Sequence, residues 1–142
     1  MRTGGRASKE RSRIVTVWVA VLLVFGLVGL PQTASARDAD GSRLGAQAIE
    51  IGASASDSLT PPDDRADWRY IKVESAGDIE IFLQAKPGDR PVTLKLTKAT
   101  GDELDSARTD AGSATIARSL QPGLYYIEVS SAEKVSYTIS VE

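Results

Sequence analysis

The chain has no cysteine and no histidine. The first absence rules out disulfides, thiolate ligands and a lipid-modified cysteine. Both together exclude Ser-His-Asp and Cys-His catalysis and the usual zinc and haem ligand sets. Serines are plentiful, but none stands in Gly-x-Ser-x-Gly. Aromatics are scarce, with 2 Trp, 4 Tyr and 2 Phe among 142 residues. After residue 36 no apolar stripe of helical period runs long enough to matter, and there is no internal repeat or low-complexity tract. There is no twin arginine either, since Ser12 separates Arg11 from Arg13.

What is present begins with an export signal. Arg2, Arg6, Lys9, Arg11 and Arg13 form a basic start, Ile14 to Leu30 runs without a charge, Pro31 breaks it, and Ala34-Ser35-Ala36 follows. That is the plan of a Sec-type signal peptide over 1–36, with cleavage after Ala36. The alternative is an uncleaved anchor, because 17 apolar positions are just enough to span a bilayer. The export segment carries five basic residues and one acidic, a net of +4. The whole chain is −2, so residues 37–142 carry −2 − 4 = −6. An acidic domain of this size is ill suited to nucleic acid or anionic lipid, which sets aside a membrane role after cleavage.

Residues 37–44 are polar and read as a flexible leader. From 45 to 142 a period of two dominates. Ile79, Ile81 and Leu83 alternate with Asp78, Glu80 and Phe82, and Val92, Leu94 and Leu96 with Thr93, Lys95 and Thr97. Tyr125, Ile127 and Val129 alternate with Tyr126, Glu128 and Ser130. Val135, Tyr137, Ile139 and Val141 alternate with Ser136, Thr138 and Ser140. Each run predicts a strand with one inward face. Turn signals separate them: Ala76-Gly77-Asp78, Pro87-Gly88-Asp89, Thr100-Gly101-Asp102, Asp110-Ala111-Gly112 and Pro122-Gly123. This predicts an all-β, antiparallel β-sandwich of Greek-key or jelly-roll type with about eight strands. Candidate segments lie near 45–52, 55–59, 68–74, 78–85, 91–98, 103–109, 113–119, 123–130 and 135–141.

Two adjacent tyrosines follow the Pro-Gly turn in Ser119-Leu120-Gln121-Pro122-Gly123-Leu124-Tyr125-Tyr126. Pro122 suits the second position of a tight turn and Gly123 the third, where a positive φ is wanted. A tyrosine just beyond can bury its ring and return its hydroxyl to the upstream backbone, as in the tyrosine corner of Greek-key sandwiches. Neighbours on a strand face opposite ways. Tyr125 therefore belongs to the core with Ile127 and Val129, and Leu120 packs under the corner. Tyr126 lies on the outer face.

The chain resembles the bacterial pre-peptidase C-terminal domain, a secreted β-sandwich. The resemblance is carried by Ile49-Glu50-Ile51-Gly52 with Ser56-Asp57-Ser58-Leu59, by Asp63-Asp64-Arg65-Ala66-Asp67-Trp68, and by Val92-Thr93-Leu94-Lys95-Leu96 with Thr100-Gly101-Asp102. Leu120 to Val129, with its Pro-Gly-x-Tyr-Tyr, and the closing Ser136-Tyr137-Thr138-Ile139 complete it. The chain reads as a stand-alone exported form. One departure is Arg69, where the family usually has an aromatic; Tyr70 comes one place later. The family usually accompanies peptidases and other exoenzymes. It implies a non-catalytic module that binds or stabilises an extracytoplasmic protein or polysaccharide, in the periplasm or outside the cell. A structural or assembly subunit is the alternative, and an enzyme or peptidase inhibitor a third reading.

Candidate site residues are few. Asp63, Asp64 and Asp67 could hold calcium, which takes six to eight oxygen ligands, and some collagen-binding relatives of this fold bind calcium. The three could also act as an acid–base pair. The plainer alternative is a solvated loop after Pro61-Pro62, with Asp67 orienting the backbone before Trp68. Asp38-Ala39-Asp40-Gly41 looks like the start of a calcium loop, but Arg43 and Leu44 stand where later ligands belong. Trp68 and Tyr70 could form a platform for sugar or peptide, or Trp68 could pack at the sandwich edge. Tyr126 is the better exposed contact. Leu120, Pro122, Gly123, Tyr125 and Tyr137 are expected to be structural.

Overall fold

The computed structural model describes residues 39–142. The expected signal peptide over 1–36, its expected cleavage site and Asp38 lie outside the described residues. A 3-10 turn, Arg43–Gly45, precedes nine strands: β1 Gln47–Ala48, β2 Ser54–Leu59, β3 Ala66–Val73, β4 Gly77–Lys86, β5 Thr93–Lys98, β6 Glu103–Arg108, β7 Ser113–Leu120, β8 Gly123–Ser130 and β9 Val135–Val141. They form a five-stranded sheet in the order β1-β3-β8-β5-β6 and a four-stranded sheet in the order β2-β9-β4-β7. Sequence neighbours repeatedly change sheets, as in a Greek-key sandwich.

The period of two decides which side chains meet. Ile79, Ile81, Leu83 and Ala85 of β4, Leu94 and Leu96 of β5, Ile127 and Val129 of β8, and Ile139 and Val141 of β9 are all buried in one core. Their alternating partners, such as Asp78, Glu80 and Phe82, face solvent. Burying each large aliphatic side chain contributes about 1.5–3 kcal/mol. With no disulfide to assist, this core and the strand ladders hold the fold.

Three expectations change. The strand expected over 45–52 shrinks to Gln47–Ala48 and pairs parallel with β3, so the sandwich is not wholly antiparallel. The cause is local: the Ala53 N–H bonds the Glu50 carbonyl at 3.0 Å, and Gly52 sits at φ 89°, a turn that ends the extended run. The leader is anchored at residue 40, although Arg43–Gly45 buries none of its residues. Asp40 is fully buried, and its carbonyl accepts the Trp68 N–H at 2.8 Å. Finally, Gly123 has φ 159°, near the extended limit, rather than the roughly +80° of a type II turn. It is already the first residue of β8.

Candidate functional site

Two neighbourhoods hold the polar and aromatic side chains. The first lies between the sheets, where β3 passes β2 and β9. Alternation along β3 turns Asp67, Arg69, Ile71 and Val73 inward and Trp68, Tyr70 and Lys72 outward. The strand thus brings a carboxylate and a guanidinium into the sandwich. Arg69 is 5 % exposed. Its Nη2 donates to Asp57 Oδ2 of β2 at 2.9 Å and lies 3.9 Å from Asp40 Oδ2. Its Nη1 donates to Gln47 Oε1 of β1 at 3.4 Å. One side chain therefore ties four segments together.

Asp67 sits beside it. Tyr137 of β9, buried as expected, donates its hydroxyl to Asp67 Oδ2 at 2.5 Å, while Asp67 Oδ1 is buried with no hydrogen-bond partner. Burial, and then the nearby carboxylates of Asp64, Asp40 and Asp57, push Asp67 up to about 7, although the Tyr137 hydroxyl pulls the other way. Burial and the same carboxylate hold the Tyr137 phenol well above its ordinary range.

The three aspartates singled out in sequence are thus split. Asp63 is exposed, Asp64 is half-buried with its N–H on the Thr60 carbonyl at 3.3 Å, and Asp67 is enclosed. Asp67 does not orient a solvated loop; it is a cross-sheet acceptor. Among the described residues no group of three or more such side chains is arranged to hold a metal ion. Asp40, read in sequence as part of a separate calcium-loop beginning, comes to the same place. Ala39, Gly41, Ser42 and residues 62–66 border one pocket of about 590 Å³, whose lining includes Asp63 and Asp64. Asp57 and Arg69 were missed as site residues. Strict alternation through Asp67, Arg69 and Ile71 was the signal that could have found Arg69; Asp57 of β2 had none.

The second neighbourhood is the outer face of the five-stranded sheet. Tyr70 pairs with Tyr126 across β3 and β8, and Trp68 with Glu128. The tyrosine rings are 6.3 Å apart and inclined at 55°. Trp68 and Tyr70, read in sequence as a possible platform, and Tyr126, read as a separate exposed contact, are all half-buried on one face. It is not bare: the Arg43 guanidinium carbon lies 4.3 Å from the centroid of the Tyr126 ring.

The tyrosine corner forms as predicted. Tyr125 is buried, and its hydroxyl donates to the Gln121 carbonyl at 2.8 Å. Its ring passes over Gly123, where a Cβ would lie 3.6 Å from the ring edge. Leu120 is buried in the core. Pro122 is exposed.

No family model and no curated protein matches the chain. Among solved structures it is similar to the pre-peptidase C-terminal domain of a collagenase from Bacillus anthracis, at 22% identity and a TM-score of 0.62, covering 68% of this chain and 94% of that one. A mitogen derived from Yersinia pseudotuberculosis (TM-score 0.46, 14% identity, 63% and 82% covered) and a periplasmic inhibitor of g-type lysozyme from Aeromonas hydrophila (0.39, 11%, 68% and 96%) are looser likenesses that carry no argument. Residues 45–142, which resemble the pre-peptidase C-terminal domain in sequence, thus fold as that domain does in the Bacillus collagenase, as a two-sheet β-sandwich.

Proposed function

We propose that this is an exported, non-catalytic binding module whose contact surface is the outer face of the five-stranded sheet, and whose partner is an extracytoplasmic protein or polysaccharide. The observation that carries this reading is the placement of Trp68, Tyr70 and Tyr126 on one face of paired strands. Half-exposed aromatics on a rigid sheet offer large contact area at small entropic cost. The absence of histidine and cysteine supports a role without catalysis. Export rests on the basic, apolar and Ala-Ser-Ala stretches of residues 1–36.

The test is retention on immobilised collagen peptide and on insoluble polysaccharide. Wild type should be held by one of them. A Trp68→Ala, Tyr70→Ala, Tyr126→Ala variant of unchanged circular dichroism should pass through. Equal retention of both would move the binding surface elsewhere.

A second reading, an assembly subunit, is favoured by β2. Among the described residues it pairs only with β9 and ends its sheet, leaving one row of backbone groups for another strand.

Calcium is a further proposal, at Asp67 with Asp64 and Asp40. The donors fit in kind: hard carboxylate oxygens and a buried Asp67 Oδ1 without a hydrogen-bond partner, with the carboxylates of Asp64, Asp40 and Asp57 nearby. They do not form a closed ligand set as they stand. Calcium would supply a cation beside Asp67.

A further inference from the structure

We infer that Tyr126 and the carbonyl oxygens of Lys98 and Ala99 form a guanidinium socket, filled in this structure by the chain's own Arg43, and that its external ligand is an arginine-bearing segment of a partner protein. The inference rests on the proposed binding face and names the chemistry it takes.

The geometry suits arginine. Arg43 Cζ lies 4.3 Å from the Tyr126 ring centroid, while Nη2 donates to the Lys98 carbonyl at 3.0 Å and to the Ala99 carbonyl. A guanidinium can lay its plane on a ring and spend its in-plane donors on carbonyls at once; an ammonium cannot make both contacts so well. The carbonyls come from the β5–β6 turn, where Gly101 at φ 99° lets its N–H reach the Lys98 carbonyl at 2.9 Å. That turn also closes on its own backbone, the Lys98 N–H bonding the Asp102 carbonyl at 2.9 Å. Tyr70 backs the Tyr126 ring from the neighbouring strand.

The present occupant is held lightly. The Arg43–Gly45 turn buries none of its residues, and Leu44 beside Arg43 is fully exposed. What fixes this turn is polar: the guanidinium contacts and local bonds such as Gly45 N–H to the Ser42 carbonyl at 3.0 Å. Segments held without apolar burial open first. Residues 37–142 carry net −6, so a cationic segment approaches a domain of opposite charge. Leu124 lies on the same face and is 37 % exposed, an apolar neighbour for whatever follows the arginine.

The experiment uses the purified full chain and a synthetic peptide of residues 39–46, Ala-Asp-Gly-Ser-Arg-Leu-Gly-Ala. Arg43→Ala and Arg43→Gln each empty the socket, and circular dichroism checks that both fold. By calorimetry the peptide should bind these variants at least tenfold more tightly than wild type. A citrulline peptide, neutral but of the same shape, should lose at least tenfold. Adding Tyr126→Ala should abolish binding, and Tyr126→Phe should retain it. Equal binding of the citrulline peptide, indifference to Tyr126, or no binding to the emptied variants overturns the inference. If cellohexaose binds in a Tyr126-dependent way while the arginine peptide does not, the inference falls and the binding face stands. If neither ligand binds through Tyr126, both fall.

Discussion

Tyr137 of β9 and Asp67 of β3 meet across the sandwich, hydroxyl to carboxylate, at 2.5 Å. Each reaches the interior because its strand alternates, yet the two stand 70 positions apart in sequence. The contact joins the four-stranded sheet to the five-stranded one with a polar bond inside an apolar core. It satisfies Oδ2 and by itself favours the carboxylate, but burial outweighs it and favours the protonated acid, with Oδ1 left without a hydrogen-bond partner.

The pH dependence follows from that. Asp67 rises from an ordinary 3.8 to about 7 in the folded chain, chiefly through burial. Between those values the folded state holds a proton that the unfolded state has lost. The stability this contributes is complete below about pH 4 and is lost as pH climbs through 7. Asp67→Asn should remove this fall, so that the variant overtakes wild type above about pH 7 by on the order of a few kcal/mol. Urea melts of both proteins from pH 4 to 8 measure it; an unchanged slope in the variant would place the titration elsewhere.

The proposed calcium would act on the same group from the other side. An ion that binds the ionised carboxylates of the folded state stabilises it by mass action. Millimolar calcium should raise the melting temperature of wild type at pH 8, less so at pH 5, and not in Asp67→Asn. Melts that ignore both calcium and chelator would leave Asp64 and Asp67 as purely structural groups.

Arg69 pairs with Asp57 at 2.9 Å and lies 3.9 Å from Asp40. Removing one partner of a buried pair strands the other charge, so Arg69→Ala should cost about 3–5 kcal/mol. Arg69→Met with Asp57→Leu replaces the pair by apolar volume and should recover most of that loss. Chemical denaturation of the single and double variants decides it; a double variant as weak as Arg69→Ala would show that Asp40 and Asp67 are the residues that need the guanidinium.

Most of the sandwich was legible because period-2 alternation and Pro/Gly turns are local signals. Each of the nine expected segments contains a strand, and Ile81, Tyr125 and Tyr137 face as read. What sequence could not supply was long-range. Asp57, Asp40 and Asp67 are brought together only by the order in which the strands pair. Arg43 reaches Tyr126 only because the backbone of residue 40 lies beside Trp68. Asp63 and Asp67 looked like one loop cluster, but the entry into β3 at Ala66 turns Asp67 inward and leaves Asp63 outside.

Export gives an independent prediction. With Pro31 ending the apolar run and Ala34-Ser35-Ala36 following, the exported protein should begin at Arg37. N-terminal sequencing of the secreted or periplasmic form checks this. An intact Met1 in the membrane fraction would make residues 14–30 an anchor instead.

The tyrosine pair separates ring from hydroxyl and core from surface. Tyr125→Ala removes a buried ring and should cost on the order of 3–5 kcal/mol. A single domain has only about 5–15 kcal/mol to lose, so this variant should be unfolded or nearly so at room temperature. Tyr125→Phe keeps the ring over Gly123 but drops the bond to the Gln121 carbonyl. It should cost about 0.5–1.5 kcal/mol. Tyr126→Ala should cost well under half as much as Tyr125→Ala, because its ring is half-buried and gives up a surface contact with Arg43 rather than core volume. Guanidinium melts of the three variants rank them. If Tyr126→Ala were the most damaging, the Arg43 contact would be a stabilising clasp of the fold, and the outer face would not be free to exchange it for a partner.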